Sequence, residues 1–186
     1  MKRDEAEALI KNPVKDTMDY DELAVNKIIQ VTAGYPYFVQ LLCSVLTDYY
    51  INTKKYYITL QDVNRSLNDV LEGGAVHFDF LWKEASPDEQ LILAILANVI
   101  TREGAAAGLS DVENTLKKYE LTMEPYQVIE IVKSLVTRGI LKADSETFRR
   151  YEFQIDLIRR WVKRYQSLGI ITDTLKRGNS IESQIL

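Results

Sequence analysis

Apolar residues recur at helical spacing along the first 74 residues of the chain. The spacing predicts four helices: residues 4–11, about Tyr20 to Val31, Pro36 onward, and a fourth that begins after Thr59. The third helix has the longest apolar face, formed by Phe38, Leu41, Leu42, Val45, Leu46 and Tyr49. Two adjacent glycines, Gly73 and Gly74, are expected to end the fourth helix. The pattern therefore predicts a four-helix bundle over residues 1–74.

The next segment begins with a strong helix start. Ser86 has the position of an N-terminal cap, Pro87 that of the first helical residue and Glu89 that of the residue which completes a capping box. A buried helix is predicted from there to about Ile100. A second capping box at residues 110–113 predicts a short helix.

A third helix and a β-hairpin are predicted to follow. Thr122 is expected to cap the helix, and Gly139 to end it. Two short apolar and aromatic runs, residues 140–143 and 148–153, flank a polar turn and predict the hairpin. A last helix is predicted from residue 156 to about residue 168.

This order of elements is typical of a winged helix-turn-helix. The predicted fold class is mainly α: the bundle of residues 1–74, then a winged helix over residues 75–168 with a small β-hairpin wing. Residues 169–186 form a tail to which the pattern assigns no structure.

The joint between the second and third helices has two interpretations. In Gly34-Tyr35-Pro36 the glycine can end one helix, and the proline suits the first turn of the next. The backbone preferences of these residues therefore explain the joint without a bound ligand. The alternative is a contact site formed by the proline and the aromatic residues beside it.

Composition limits the classes of partner. The 186 residues include 23 basic and 27 acidic ones, a net charge of −4, which does not favour strong nonspecific binding to nucleic acid. The segment from Arg138 to Arg164 is more basic, so a basic surface is expected in the C-terminal third. No apolar run is long enough to span a membrane, no signal peptide is evident, and the single Cys43 suits a reducing compartment. We expect a cytoplasmic location without membrane contact.

The sequence shows no catalytic constellation. It contains no GxxxxGK[ST] phosphate loop, and its only histidine, His77, falls in a predicted linker. Cys43 lies on or beside the apolar face of the third helix, so we interpret it as a structural thiol. We therefore predict no catalytic residue, no metal site and no cofactor in this chain, and no enzymatic activity for it alone.

Several motifs together resemble a known family. The runs "GYPYFVQLLC", "FLWKEASPDEQLILAILA" and "YEFQIDLIRRWV" occur in the order found in the C-terminal helical lid and winged helix of archaeal and bacterial AAA+/STAND-type ATPases. Gly34, Tyr35 and Pro36 match the family's G-x-P element. The family's closing element is matched by Tyr151, Phe153, Arg159, Arg160 and Trp161.

The resemblance implies a role in a larger machine. Gly34, Tyr35 and Pro36 would contact ATP or ADP only together with an ATPase core, and the partners would be that core and another protein, with a homo-oligomer left open. The phosphate loop, magnesium site and first sensor of such an ATPase are missing from this sequence, so the resemblance implies a fragment or a truncated relative. No arginine follows Pro36 in its helix, so an arginine sensor is not implied.

A winged helix also raises the hypothesis of DNA binding. The recognition helix would span residues 124–138. The candidate contacts to bases and phosphates are Gln127, Lys133, Arg138, Arg149 and Arg150. The formal charges of that helix sum to zero, and ordinary solvated surface charge explains the basic residues equally well. We prefer a regulatory lid and winged-helix module and keep a DNA-binding winged-helix regulator as the alternative.

Overall fold

The computed structural model describes residues 1–144 and 149–185, with backbone alone described for residues 178–185. The described chain is mainly α-helical. Its helices are α1 (Arg3–Lys11), α2 (Glu22–Thr32), α3 (Pro36–Thr53), α4 (Leu60–Gly73), α5 (Ala75–Lys83), α6 (Pro87–Val99), α7 (Leu109–Lys118), α8 (Pro125–Thr137), α9 (Asp156–Tyr165) and α10 (Leu168–Ile185). Its strands are β1 (Asp19–Tyr20), β2 (Tyr57–Ile58), β3 (Ala107–Gly108), β4 (Leu141–Ala143) and β5 (Arg150–Phe153).

The chain divides into two compact units. The first contains residues 1–77 together with 155–157, and the second contains residues 78–154 and those from 158 onward. The predicted fold class, a helical bundle followed by a winged helix-turn-helix, is confirmed. Among the described residues, no helix combines the length and the apolar character needed to cross a membrane.

The first unit is built on α3 and α4. These two helices pack together, α2 packs on α4, and α1 packs on α3. The buried face of α3 differs in position from the predicted one. Phe38, Leu42 and Leu46 are buried as expected, whereas Leu41 and Val45 are only half-buried. Because α1 and α2 also cover α3, the buried arc extends to Val39, which the pattern had not assigned to the core.

The second unit contains the winged helix. Helix α6 packs against α8 and α10, and α7 packs against α6 and α8. The hairpin strands β4 and β5 are antiparallel, and β3 pairs with the other edge of β5 to give the order β3-β5-β4. Tyr151 lies in the middle strand opposite Ala107 and is fully buried.

Several predicted boundaries are wrong. Tyr20 belongs to β1, which pairs in parallel with β2. Helix α2 begins at Glu22, and its N-terminal cap is Asp21, whose carboxylate accepts a hydrogen bond from the Leu23 amide at 2.7 Å. The N-terminal cap of α7 is Gly108, whose N–H donates to the Asp111 carboxylate at 2.7 Å, so Ser110 is not the cap.

The N-terminal cap of α8 was also misassigned. The cap is Glu124 instead of Thr122, since Pro125 occupies the first helical position. Helix α5 occupies the predicted linker, and α10 continues through the tail that had no assigned structure. The turn predicted between the hairpin strands falls largely on residues 145–148, outside the described residues.

Candidate functional site

The joint between α2 and α3 is a tight, hydrogen-bonded turn. Ala33 and Gly34 both have left-handed backbone conformations, with φ of 50° and 66°. The Thr32 hydroxyl donates to the Ile28 carbonyl at 2.6 Å and accepts from the Gly34 amide at 3.3 Å. The Tyr35 amide donates to the Thr32 carbonyl at 3.0 Å. These bonds fix the position of the residues that start α3.

Position 34 favours glycine because of its backbone conformation, and not because a side chain would lack space. A Cβ atom there would lie 3.6 Å from the Met1 carbonyl oxygen and 3.9 Å from the Ala6 Cβ, which are ordinary contacts. The positive φ is what a side chain would make unfavourable. The glycine thus allows two helices to meet without a longer loop.

Pro36 starts α3 at a solvent-exposed position between two tyrosines. Tyr35 and Tyr37 are 43% and 44% exposed. The Tyr37 ring lies 4.3 Å from the His77 ring at an interplanar angle of 33°. We call Tyr35, Pro36, Tyr37 and His77 the junction surface. Its rings and its proline, at the positive end of a helix dipole, have the chemistry to pack against a planar, negatively charged ligand.

The interpretation of His77 as a linker residue is wrong. It lies in α5, and its ring also contacts Phe38 edge-on at 5.4 Å. Sequence patterns missed this contact because α5 has few residues and its exposed positions are apolar, including Val76 at 86% exposed. Among the described residues, no group of three or more His, Cys, Asp or Glu side chains could hold a metal ion.

Three of the five candidate nucleic-acid contacts already have protein partners. The Gln127 side-chain oxygen accepts from the Glu124 amide at 2.8 Å and completes the cap of α8. The Lys133 ammonium lies 2.6 Å from the Glu130 carboxylate. The Arg138 guanidinium lies 2.9 Å from the Glu89 carboxylate. These side chains stabilise the fold or neutralise neighbouring acids.

Glu89 joins the start of α6 to the end of α8. Its carboxylate accepts from the Ser86 amide at 2.9 Å, from the Ser134 hydroxyl at 2.7 Å and from Arg138. Burial alone would raise the pKa of Glu89, but these hydrogen bonds and the charge of Arg138 lower it below its ordinary value. The capping box identified Glu89 from the sequence, but nothing local indicated its partners on α8.

The two wing arginines are exposed. Arg149 and Arg150 lie at the start of β5, where the Arg149 carbonyl accepts from the Leu109 amide at 2.8 Å. This bond holds the wing against the start of α7. A groove of about 370 Å³ beside Arg149 is also lined by Glu113 and Ser110. The acid in that groove disfavours a phosphate group at Arg149.

The residues that match the closing element of the family are largely core. Arg159 is 4% exposed and donates to the Ile100 carbonyl at 2.9 Å, so its side chain belongs to the core. Arg160 lies 3.4 Å from the Glu103 carboxylate. The Trp161 ring stacks on Phe78 with centroids 5.8 Å apart. These contacts all lie within the second unit.

Cys43 is half-buried on α3. Burial raises the pKa of its thiol to about 11. Little thiolate exists at neutral pH under those conditions, so the side chain is a poor nucleophile.

Comparison with known proteins does not identify a family for this chain. No protein-family model and no curated protein matches the sequence. One similar solved structure is that of Drosophila ORC bound to DNA, with 16% sequence identity and a TM-score of 0.36. The match covers 80% of this chain and 40% of that chain. A TM-score of this size supports no argument about function.

Proposed function

We propose that the chain is a non-catalytic regulatory module of a AAA+/STAND-type ATPase. In this proposal, the first unit senses ATP or ADP held by an ATPase core through Gly34, Tyr35 and Pro36. The winged helix of the second unit then contacts a protein partner. The proposal rests on the family resemblance, and the observation that best supports it is the exposed junction surface at a fixed helix start.

The proposed mechanism follows from the geometry of the joint. Pro36 has no rotatable backbone φ, and the bonds around Thr32 fix the turn before it. A nucleotide that packs on Tyr35 and Pro36 would therefore act on the whole of α3 and not on a loose loop. Because α3 packs on α4 and α1, the unit would move as one body when the nucleotide changes.

A protein partner for the winged helix is favoured over DNA. Gln127, Lys133 and Arg138 are engaged within the unit, which leaves the two wing arginines as the candidate phosphate contacts. A recognition helix that binds in the major groove usually presents several donors to base edges. The exposed Tyr126, 65% accessible on the same helix, is instead typical of protein interfaces.

The first test is the intact mass of the polypeptide in its source cells. We expect a product far larger than 21.4 kDa, extended at the N-terminus by a segment that contains a phosphate loop. A product of 21.4 kDa would contradict the ATPase part of the proposal, and Pro36 would then be only a helix start.

DNA binding through the wing is the second candidate function, favoured by the exposure of Arg149 and Arg150. The test is double-stranded DNA binding by the chain with both arginines changed to glutamate. Arg65→Glu, an exposed position on α4, is the matched control. The preferred function predicts no specific binding by any of these proteins. Binding that only the wing variant abolishes, with a steep loss between about 50 and about 200 mM salt, would establish the second candidate.

A further inference from the structure

The segment of residues 49–58 combines aromatic and basic side chains. Its sequence, YYINTKKYYI, contains four tyrosines, two lysines and no acidic residue. It covers the end of α3 and continues into β2, both in the first unit. We call it the tyrosine–lysine segment. The proposed function assigns no role to it.

Several large side chains of this segment are exposed. Tyr56 is 67% exposed and Tyr57 is 49% exposed, and Ile51 nearby in the chain is 63% exposed. The rings of Tyr50 and Tyr56 meet edge to face, with centroids 5.4 Å apart and an interplanar angle of 71°. The faces of these rings are therefore accessible to other molecules. Exposed tyrosine faces are instead suited to stacking on planar ligands.

Lys54 occupies a position that normally favours glycine. It ends α3 in the left-handed region with φ of 51°. Glycine or asparagine takes this place in most helices, because other side chains are strained there. The side chain at this strained position is exposed, so its ammonium group is accessible to a ligand.

Two acidic groups close to the segment are held by other bonds. The Lys55 ammonium lies 2.6 Å from the buried Asp62 carboxylate, which also accepts from the Thr59 amide at 2.8 Å. The carboxylate of Asp19, on the paired strand β1, accepts from the Tyr20 amide at 2.8 Å. Of the two lysines in the segment, Lys55 is paired with Asp62, and Lys54 is exposed.

We propose that the tyrosine–lysine segment binds single-stranded nucleic acid. Bases stack on Tyr56 and Tyr57, and Lys54 neutralises a neighbouring phosphate. Tyrosine faces accept any base, so the site has little sequence preference. A protein partner is disfavoured because lysine is depleted from the centres of protein interfaces, whereas stacking rings beside cations are typical of single-strand binding. This proposal is independent of the nucleotide role of Pro36.

The test is fluorescence anisotropy of a labelled oligothymidylate titrated with the complete 186-residue chain. Tyr56→Ala and Tyr57→Ala are each expected to weaken binding about tenfold, the scale of one lost base stack. Tyr56→Phe keeps the ring and should bind like the wild type. Phe80→Ala is the matched control, because the Phe80 ring is also exposed, at 59%, but lies in the second unit.

A Lys54→Gly variant separates a binding role from a structural one. Glycine relieves the left-handed strain, so the midpoint of thermal unfolding should rise. Affinity for the oligonucleotide should nevertheless fall up to about fivefold, the scale of one exposed charge contact. With one or two phosphates contacted, affinity should fall only about threefold to sevenfold between about 50 and about 200 mM salt.

Two outcomes would overturn the proposal. The first is the absence of binding to the oligonucleotide by the wild-type chain. The second is binding that survives loss of Tyr56 and Tyr57 but disappears when Arg149 and Arg150 are changed to glutamate, which would place the contact on the wing. Neither outcome bears on the role of Pro36.

Discussion

Replacement of Glu89 by glutamine should destabilise the second unit. Glutamine has nearly the same shape and can still complete the cap at Ser86, but it loses the negative charge beside Arg138 and Ser134. A hydrogen bond to a charged group contributes about 1.5 to 3 kcal/mol and a neutral one about 0.5 to 1.5, so the Ser134 bond loses about 1 kcal/mol. Loss of the attraction to Arg138, whose side chain is 30% exposed, adds about 1 to 2 kcal/mol. We expect a total loss of about 2 to 3 kcal/mol.

Urea unfolding followed by tryptophan fluorescence measures this loss directly. The two tryptophans, Trp82 and Trp161, both lie in the second unit, so their fluorescence reports on that unit. The control is Glu130→Gln on α8, because the Glu130 side chain is 65% exposed and forms a surface ion pair with Lys133. We expect the control to lose less than about 0.5 kcal/mol. Equal losses in the two variants would refute the argument that the Glu89 cluster stabilises this unit.

The same cluster predicts a pH dependence. The pKa of Glu89 is lower in the folded chain than its ordinary value. Its contribution to stability is therefore complete above that ordinary value, about 4.3, and is lost as the pH falls toward the folded value. The difference in unfolding free energy between wild type and Glu89→Gln should shrink as the pH falls below about 4. A difference that stays constant down to about pH 2 would contradict this assignment.

Two further predictions concern the first unit. Gly34→Ala should lower the unfolding free energy by about 1 kcal/mol, because φ at this position is 66°. The control Gly169→Ala, in α10, should be neutral or stabilising. Thermal unfolding followed by circular dichroism at the helix band measures both variants, and an unchanged unfolding free energy in Gly34→Ala would contradict the conformational argument. The raised pKa of Cys43, about 11, means that the folded thiol holds its proton at pH values where an unfolded thiol has lost it. Stability should therefore fall between about pH 9 and about pH 11, and Cys43→Ser should reduce that loss. The remainder is expected from Tyr20, whose buried hydroxyl also has a raised pKa. An unchanged profile in the variant would assign the whole loss to other groups.

The sequence predicted the elements best where local signals were complete. Pro36, Pro87 and Gly139 marked helix ends, and the structure places helix boundaries at or beside each of them. The hairpin was predicted from apolar and aromatic runs that become β4 and β5. In these segments the backbone preference of each residue agrees with its tertiary environment.

Prediction failed where structure depends on partners distant in sequence. Strand β3 has only two residues, Ala107 and Gly108, and forms because β5 offers it an edge. The Arg159 guanidinium is buried against the Ile100 carbonyl, 59 positions away in sequence, and no local pattern indicated that contact. Periodicity describes one helix at a time and cannot assign such a contact.

The candidate sites were only partly predictable for the same reason. Pro36 and its flanking tyrosines were identified from the sequence, but the His77 ring that packs on Tyr37 was not. On the winged helix, Lys133 and Arg138 looked available in the sequence because their acidic partners on the folded surface were not yet known. Whether the junction surface contacts a nucleotide stays a prediction.

The most direct measurement of that central claim is photolabelling of the complete endogenous polypeptide with an azido-adenine nucleotide, followed by peptide mapping. The proposed function predicts a label in the tryptic peptide of residues 28–54, which contains the junction between α2 and α3. Pro36→Ala should reduce that label, and Pro87→Ala, which alters the matching first position of α6, should not. A polypeptide that binds the nucleotide but carries no label in residues 28–54 would contradict the account.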